Sequence, residues 1–306
     1  MKEKQTAVRP VKFYKQKVGD LAKRLPTVEN RFALWKGLMF DKANNSIKLN
    51  LVALVCFLPI IAIAVVMANS FNTVSNSLPF SSFIGVGYPT IIDATSKAFT
   101  ETQGVLLRAG VYTMPVALFI SLVLGISVLY ATRNFVWTEG DFKFKTLIKA
   151  YKFNLQSILI ALIVSLVFMG YMYVIYLFRG MLFNDGWTFL TVLALLGIVA
   201  VGVILLIVAM YSFSISITYK ENVFLVFRDA FVLTFKAFFL NLMITVATFA
   251  PIAILILTAG SFLSTLCMMI CLFIGGTYLL TVWTVYSQYV FDVFTNARDK
   301  KGSYAK

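Results

Sequence analysis

The side chains that could carry out chemistry are few in this chain. It has no histidine, and its three cysteines, Cys56, Cys267 and Cys271, lie within apolar runs. Cys267 and Cys271 share a helix face at i, i+4, but nothing indicates metal geometry, and we interpret all three as packing residues. A Gly-rich phosphate loop followed by Lys-Ser/Thr, an HExxH motif and a CxxC motif are all missing. We therefore expect a protein that is not an enzyme, with no catalytic, cofactor-binding or metal residues and no cofactor.

Charged side chains that could contact a partner are concentrated in two predicted amphipathic helices, Phe142–Lys152 and Val223–Lys236. Each helix ends in an aromatic-basic pair and leads into an apolar run. Adjacent residues do not face one another on a helix, so we expect Arg228 and Asp229 to seek other partners, the alternative being an ordinary solvated pair. The candidate partner-docking residues are Lys143, Lys145, Lys149, Lys152, Arg228 and Asp229.

The elements that must hold these residues are six runs without a charged side chain. They are Leu49–Met67, Ala109–Ala131, Leu155–Phe178, Trp187–Tyr211, Ala237–Ala259 and Phe262–Val285. Each is close to the roughly 20 apolar residues that carry a helix across a bilayer. The composition, 60% hydrophobic and 13% charged, agrees. The sequence predicts an all-α, polytopic membrane protein with six transmembrane helices.

The pieces outside these runs are too short to form a soluble domain of ordinary size. We expect one membrane domain, residues 49–285, between a basic N-terminal segment, 1–48, and a C-terminal tail, 286–306. No cleavable signal peptide is expected, because the first apolar run is of full span length and follows a long charged stretch. The loop Ala68–Arg108 is predicted to be exoplasmic, with turns in its first half and a helix over Ile91–Leu107.

The distribution of positive charge predicts the orientation. Of the 27 Lys and Arg residues, 24 lie in alternate segments that begin with the N-terminal one. This is the positive-inside pattern, so both termini are predicted to be cytoplasmic in a multi-pass protein of the cell membrane. The net charge of +14 is therefore interpreted as attraction to a lipid bilayer with an anionic inner leaflet, and no nucleic-acid partner is expected.

The N-terminal segment contains two stripes typical of interfacial helices, separated by Pro26. Tyr14, Val18, Leu21 and Leu25 form the first stripe. In the second, Thr27 can cap a helix whose Phe32, Trp35, Leu38 and Met39 face lipid or the bundle. Anchoring of the first span is one interpretation, and docking of a cytoplasmic partner is the other.

A short repeat marks three of the spans. Asn50, Asn154 and Asn241 are each followed by leucine at the start of an outward-going span, and Pro59 and Pro251 lie farther along the first and third. This suggests three related helical hairpins, although coincidence explains so short a pattern equally well. The candidate helix-packing residues are Asn50, Asn154, Asn241, Pro59, Pro115 and Pro251. The prolines could also break their helices and expose backbone carbonyls to an ion.

Three segments together resemble a known family. They are Leu49-Asn50-Leu51-Val52 through Leu58-Pro59-Ile60, Met114-Pro115-Val116-Ala117, and the helix over 142–154 with its Lys-Phe-Asn ending. The chain resembles the YesL-like family of small bacterial integral membrane proteins, and it departs from that family in its long basic N-terminus and in the insert between spans one and two. The resemblance implies association with carbohydrate uptake systems.

Two functions are consistent with this sequence. The first is a non-catalytic integral membrane subunit or accessory protein that binds a protein partner or forms a homo-oligomer. The alternative is a permease component that moves a polar solute such as a sugar. The spans as bounded above contain no ionisable group, which favours the first because such groups usually mark ion and proton paths.

Overall fold

A computed structural model describes residues 31–77, 89–138, 147–148, 150–151, 154–185, 188–219, 221–257, 265 and 268–294. Its helices are α1 (Arg31–Phe40), α2 (Ala43–Ser77), α3 (Pro89–Thr138), α4 (Leu155–Asp185), α5 (Phe189–Thr218), α6 (Val223–Lys236), α7 (Phe238–Leu257) and α8 (Gly276–Phe294). A π-helical turn, Cys271–Gly275, comes directly before α8.

Five of these helices are long and apolar enough to cross a membrane. They contain Ala43–Phe71, Thr102–Val136, Leu155–Leu182, Phe189–Thr218 and Met268–Phe291. A sixth span results if α6 and the part of α7 up to Ile254, which meet at a bend of 96°, are counted together. The predicted all-α membrane architecture is confirmed.

Two predicted helices outside the spans are confirmed. The helix Val223–Lys236 has the predicted bounds. In α1, Leu38 and Met39 are buried and Trp35 is half-buried, as the second N-terminal stripe predicts. The first stripe, with Pro26 and Thr27, lies outside the described residues.

The predicted loop Ala68–Arg108 is wrong in its first half. Helix α2 continues to Ser77, and α3 already begins at Pro89, so the helix predicted over Ile91–Leu107 is confirmed as part of a longer one. The Ser70 hydroxyl donates to the Val66 carbonyl four residues earlier, at 2.8 Å. This local bond lets a turn-favouring serine remain in a helix.

The interpretation of the three prolines as helix breaks is also wrong. Pro59, Pro115 and Pro251 lie inside continuous helices. A proline cannot donate to the carbonyl four residues earlier, and Tyr278 of α8 donates its hydroxyl to the corresponding carbonyl, that of Ala247, at 2.8 Å. Beside Pro59, the backbone N–H of Ile60 donates to the hydroxyl of Ser121, at 3.1 Å. Side chains of neighbouring helices thus satisfy the backbone around two of the prolines.

The chain divides into two compact units. The first unit comprises Met1–Val55, Ile126–Ser157 and Ile207–Lys306, and the second comprises Cys56–Gly125 and Ile158–Leu206. Aromatic side chains fill much of the first unit's core. The rings of Tyr211 and Trp283 meet edge to face with centroids 5.0 Å apart, and those of Tyr219 and Phe291 do so at 5.4 Å.

Candidate functional site

Buried amides connect the helices of the first unit. Asn50, Asn154 and Asn241 have no exposed surface, and each forms hydrogen bonds through its side chain. Their partners differ, so each amide has its own structural role. The related-hairpin interpretation stays a prediction.

Asn50 of α2 inserts its amide at the π-helical turn before α8. Its Nδ2 donates to the Leu272 carbonyl at 2.6 Å, and its Oδ1 accepts from the N–H groups of Gly276, at 2.7 Å, and Thr277, at 3.1 Å. A π-helical turn departs from the regular i→i−4 ladder, and these bonds satisfy backbone groups around it. A Cβ at position 276 would lie 2.9 Å from Asn50 Oδ1, so the contact requires glycine there.

The same junction extends to α1. The Thr277 hydroxyl donates to the Ser46 carbonyl at 2.7 Å, and the Ser46 hydroxyl donates to the Leu38 carbonyl at 3.1 Å. The ring of Trp35 packs edge to face on that of Tyr278, with centroids 5.9 Å apart. The N-terminal helix is therefore joined to α2 and α8 by polar and aromatic contacts together.

Asn241 of α7 connects four helices. Its Nδ2 donates to the carbonyls of Leu233, at 3.1 Å, and Thr234, at 2.9 Å, near the C-terminal end of α6. Its Oδ1 accepts from the hydroxyls of Tyr211 in α5 and Tyr286 in α8, both at 2.6 Å. The last carbonyls of a helix have no partner within it. Asn241 supplies two of them with donors and so holds the α6–α7 bend.

Asn154 precedes α4 and bonds locally. Its Nδ2 donates to the Ala150 carbonyl at 2.8 Å. Nearby, Gln156 Nε2 donates to the Glu221 carbonyl, and the hydroxyls of Ser157 and Ser216 hydrogen bond at 3.0 Å. These contacts join the start of α4 to the end of α5 and the segment that leads into α6.

A small polar cavity lies in the first unit. Its volume is about 20 Å³, enough for one water molecule, and it is lined by Leu129, Arg133, Ser214, Ile217, Thr218, Thr284, Ser287, Gln288 and Phe291. The buried guanidinium of Arg133 donates through Nη1 to the Ile217 carbonyl at 3.0 Å. The Gln288 side chain is 2% exposed, and neither of its amide atoms hydrogen bonds to the part of the chain that the structure describes. One water bound in the cavity could satisfy this amide.

Helix α6 presents two opposite faces. Val226, Ala230, Leu233 and Thr234 are buried. On the other side, at i, i+7 and i+11, Phe224, Phe231 and Phe235 are 79%, 54% and 48% exposed. Arg228 lies on this exposed side by its helical position. The exposed face of α6, defined by Phe224, Arg228, Phe231 and Phe235, is the largest aromatic feature on this element.

The expectation that Arg228 and Asp229 do not contact each other is wrong. Arg228 Nε donates to Asp229 Oδ1 at 2.8 Å, with the arginine half-exposed and the aspartate mostly buried. The helical spacing rule describes Cβ directions, whereas the long arginine stem can turn its guanidinium back to its neighbour. This pair is a charge-assisted hydrogen bond.

Glu221 lies just before α6 and outside the spans. Burial raises the pKa of its carboxyl to about 7, with a smaller contribution in the same direction from Asp229 and an opposing one from Arg228. A carboxyl with this pKa changes its charge near neutral pH.

Most functional contacts of the first unit were not visible in the sequence. Lys143, Lys145, Lys149 and Lys152 lie outside the described residues. Among the side chains that the structure does describe, no three Cys, Asp or Glu residues gather as a metal site requires. Comparison of the chain with protein-family models, curated proteins and solved structures gives no match.

Proposed function

We propose that the protein is a non-catalytic, multi-pass subunit of the cell membrane that binds another protein through the exposed face of α6. Both termini are placed in the cytoplasm by this proposal, because of the distribution of Lys and Arg. The resemblance to the YesL-like family extends the proposal to a bacterial subunit that accompanies a carbohydrate uptake system. The observation that carries the proposal is the aromatic face of α6.

The geometry of the bend supports a surface position for α6. Helix α7 is apolar throughout, and α6 meets it at 96°. If α7 crosses the bilayer, a helix perpendicular to it runs along the membrane surface. Asn241 ties the last carbonyls of α6 to α7, α5 and α8, so the orientation of α6 is fixed by the protein itself.

The spacing on α6 supports a protein as its partner. Phe224, Arg228, Phe231 and Phe235 recur at i, i+4, i+7 and i+11, which are the anchor positions of a helix that enters a groove. A helix that only lies on anionic lipid gains from unpaired cations. Here the arginine is neutralised by Asp229, which favours a groove that accepts aromatic rings and a hydrogen-bonded ion pair.

The cavity gives less support to a sugar permease. Its volume of about 20 Å³ accommodates about one water molecule, well below the size of a sugar. In this conformation the cavity of the first unit is therefore too small for such a solute. The subunit role is the better-supported proposal.

Site-specific photo-crosslinking of the full-length protein in native membranes tests the docking role. A photoreactive residue at Phe231 should form an adduct with a second protein, whereas the same residue at Val116, an exposed apolar position on α3, should label lipid. Phe224→Ser together with Phe235→Ser should abolish the protein adduct without changing membrane insertion. Lipid adducts alone at Phe231 would overturn the proposal.

Topology is tested separately by labelling introduced cysteines. Ser303→Cys should react only with reagent supplied from the cytoplasmic side, and Ser82→Cys only from the other side. Labelling of Ser82→Cys from the cytoplasm alone would contradict the orientation.

A further inference from the structure

The second unit contains a cluster of arginine and tyrosine where α3 and α4 meet. Arg108 Nη2 donates to the Tyr176 hydroxyl at 3.0 Å, and its guanidinium carbon lies 5.8 Å from the centre of the same ring. Arg179 Nη2 donates to Gln103 Oε1 at 3.4 Å. The ring of Tyr173 stacks beside Tyr176, with centroids 6.2 Å apart.

Both arginines lie at the edge of an apolar run. Arg108 comes directly before the run Ala109–Ala131, and Arg179 comes directly after the run Leu155–Phe178. Their contacts with the opposite helix place them at the same edge. Arginine, with tyrosine beside it, is typical of the boundary between hydrocarbon and headgroups.

The position of Arg179 is built into the backbone of α3. A Cβ at Gly104 would lie 3.2 Å from Arg179 Nη1, so the guanidinium packs against a bare stretch of helix. Glycine at position 104 therefore lets the second cation come close to α3, one turn from Arg108. The two guanidinium groups are brought together by packing.

The charge of Arg108 is not neutralised within the described protein. Its hydrogen-bond partner there is a neutral phenol, and the side chain is exposed. A guanidinium that gives one N–H to a tyrosine keeps further donors for a second acceptor. Arginine matches phosphate oxygens in geometry and charge, and exposed Tyr112 and Tyr173 beside it can pack on the glycerol and upper acyl region of a lipid.

We infer that Arg108, oriented by Tyr176 and supported by the charge of Arg179, binds the phosphate of an anionic phospholipid. Phosphatidylglycerol fits this site better than phosphatidylcholine, because the choline ammonium would be repelled by two guanidinium groups. The inference requires only that α3 and α4 span the membrane. It does not depend on the docking role of α6.

Native mass spectrometry of the delipidated full-length protein tests this site. Titration with phosphatidylglycerol should give one tightly bound lipid, and Arg108→Gln should weaken this binding at least roughly tenfold, since a charge-assisted phosphate contact is lost. Arg228→Gln, which removes an arginine from α6, is the matched control and should leave the affinity unchanged. Tyr176→Phe keeps the ring but removes the acceptor that orients Arg108, and should weaken binding by a smaller factor.

The remaining outcomes also decide the matter. Arg108→Lys keeps the charge and should bind more tightly than Arg108→Gln, which separates phosphate binding from misfolding. Equal affinity of the parent and Arg108→Gln for phosphatidylglycerol would overturn the inference. So would equal binding of phosphatidylcholine, or displacement of the lipid by millimolar inorganic phosphate, because either result shows that the site does not select an anionic lipid.

Discussion

The hydroxyl of Tyr278 compensates for the proline in α7, and this can be measured. Pro251 has no N–H to donate to the Ala247 carbonyl, and Tyr278 donates to that carbonyl instead, at 2.8 Å. Tyr278→Phe removes the donor and leaves the ring in place, so a carbonyl within an apolar helix loses its partner. Pro251→Ala restores a backbone N–H at the position from which a helix normally donates to that carbonyl.

The expected magnitude follows from the bond that is lost. A hydrogen bond between membrane helices contributes about 0.6 kcal/mol on average and up to about 1.7 kcal/mol. The bond from Tyr278 is short and has a single acceptor without its usual donor, so we expect Tyr278→Phe to lower the free energy of unfolding by about 1 kcal/mol. In the Pro251→Ala background the same change should cost close to nothing, because the helix then satisfies its own carbonyl.

Reversible unfolding of the full-length protein in mixed micelles, followed by tryptophan fluorescence, gives the four free energies of this cycle. Tyr289→Phe is the control, because Tyr289 is an exposed tyrosine on the same helix and its loss of a hydroxyl should be neutral. A loss for Tyr278→Phe that is equal with Pro251 and with Ala at that position would refute the reasoning, since the hydroxyl would then act independently of the proline.

Three further predictions concern the first unit. Asn241→Leu should lower the thermal midpoint in detergent, although leucine favours the membrane, because two tyrosine hydroxyls and two carbonyls lose a partner; an unchanged or higher midpoint would contradict this. Gly276→Ala should destabilise the protein in the parent and clearly less in Asn50→Ala, since the added methyl group meets the Asn50 amide; equal losses would exclude that contact. The pKa of Glu221 is raised by folding, so the folded state binds more protons and stability should fall as pH rises from about 4.5 to about 7; Glu221→Gln should remove this slope, and a slope that persists would have another origin.

The parts of the structure that follow from local composition could be predicted from the sequence. Apolar length gives the spans, and the stripe from Val226 to Thr234 opposite the phenylalanines gives α6 with its bounds. The loop before α3 was misjudged because Ser70 satisfies its hydroxyl within the helix, and composition does not distinguish this from a turn.

The contacts of the candidate site could not be predicted in the same way. Asn50 and Asn241 were marked by their position at the start of a span, but their partners lie far away in the chain, at Gly276, Tyr211 and Tyr286. Such pairings depend on which helices become neighbours, and no local pattern carries that information. The spacing argument failed for Arg228 because it considered only the helix position and not the reach of the side chain.

The Asn50 junction also has a consequence for the order of events during biosynthesis. Its amide bonds to Gly276, 226 residues later in the chain. At a translation rate of roughly 5–20 residues per second, the ribosome needs roughly 10–45 s to make that partner after Asn50 has been added. During this interval the first membrane helix carries a polar amide with its final acceptor and donors still unmade. Nascent chains that stall before α8 should therefore be preferred substrates for membrane quality control, and the last helix serves as the signal that assembly is complete.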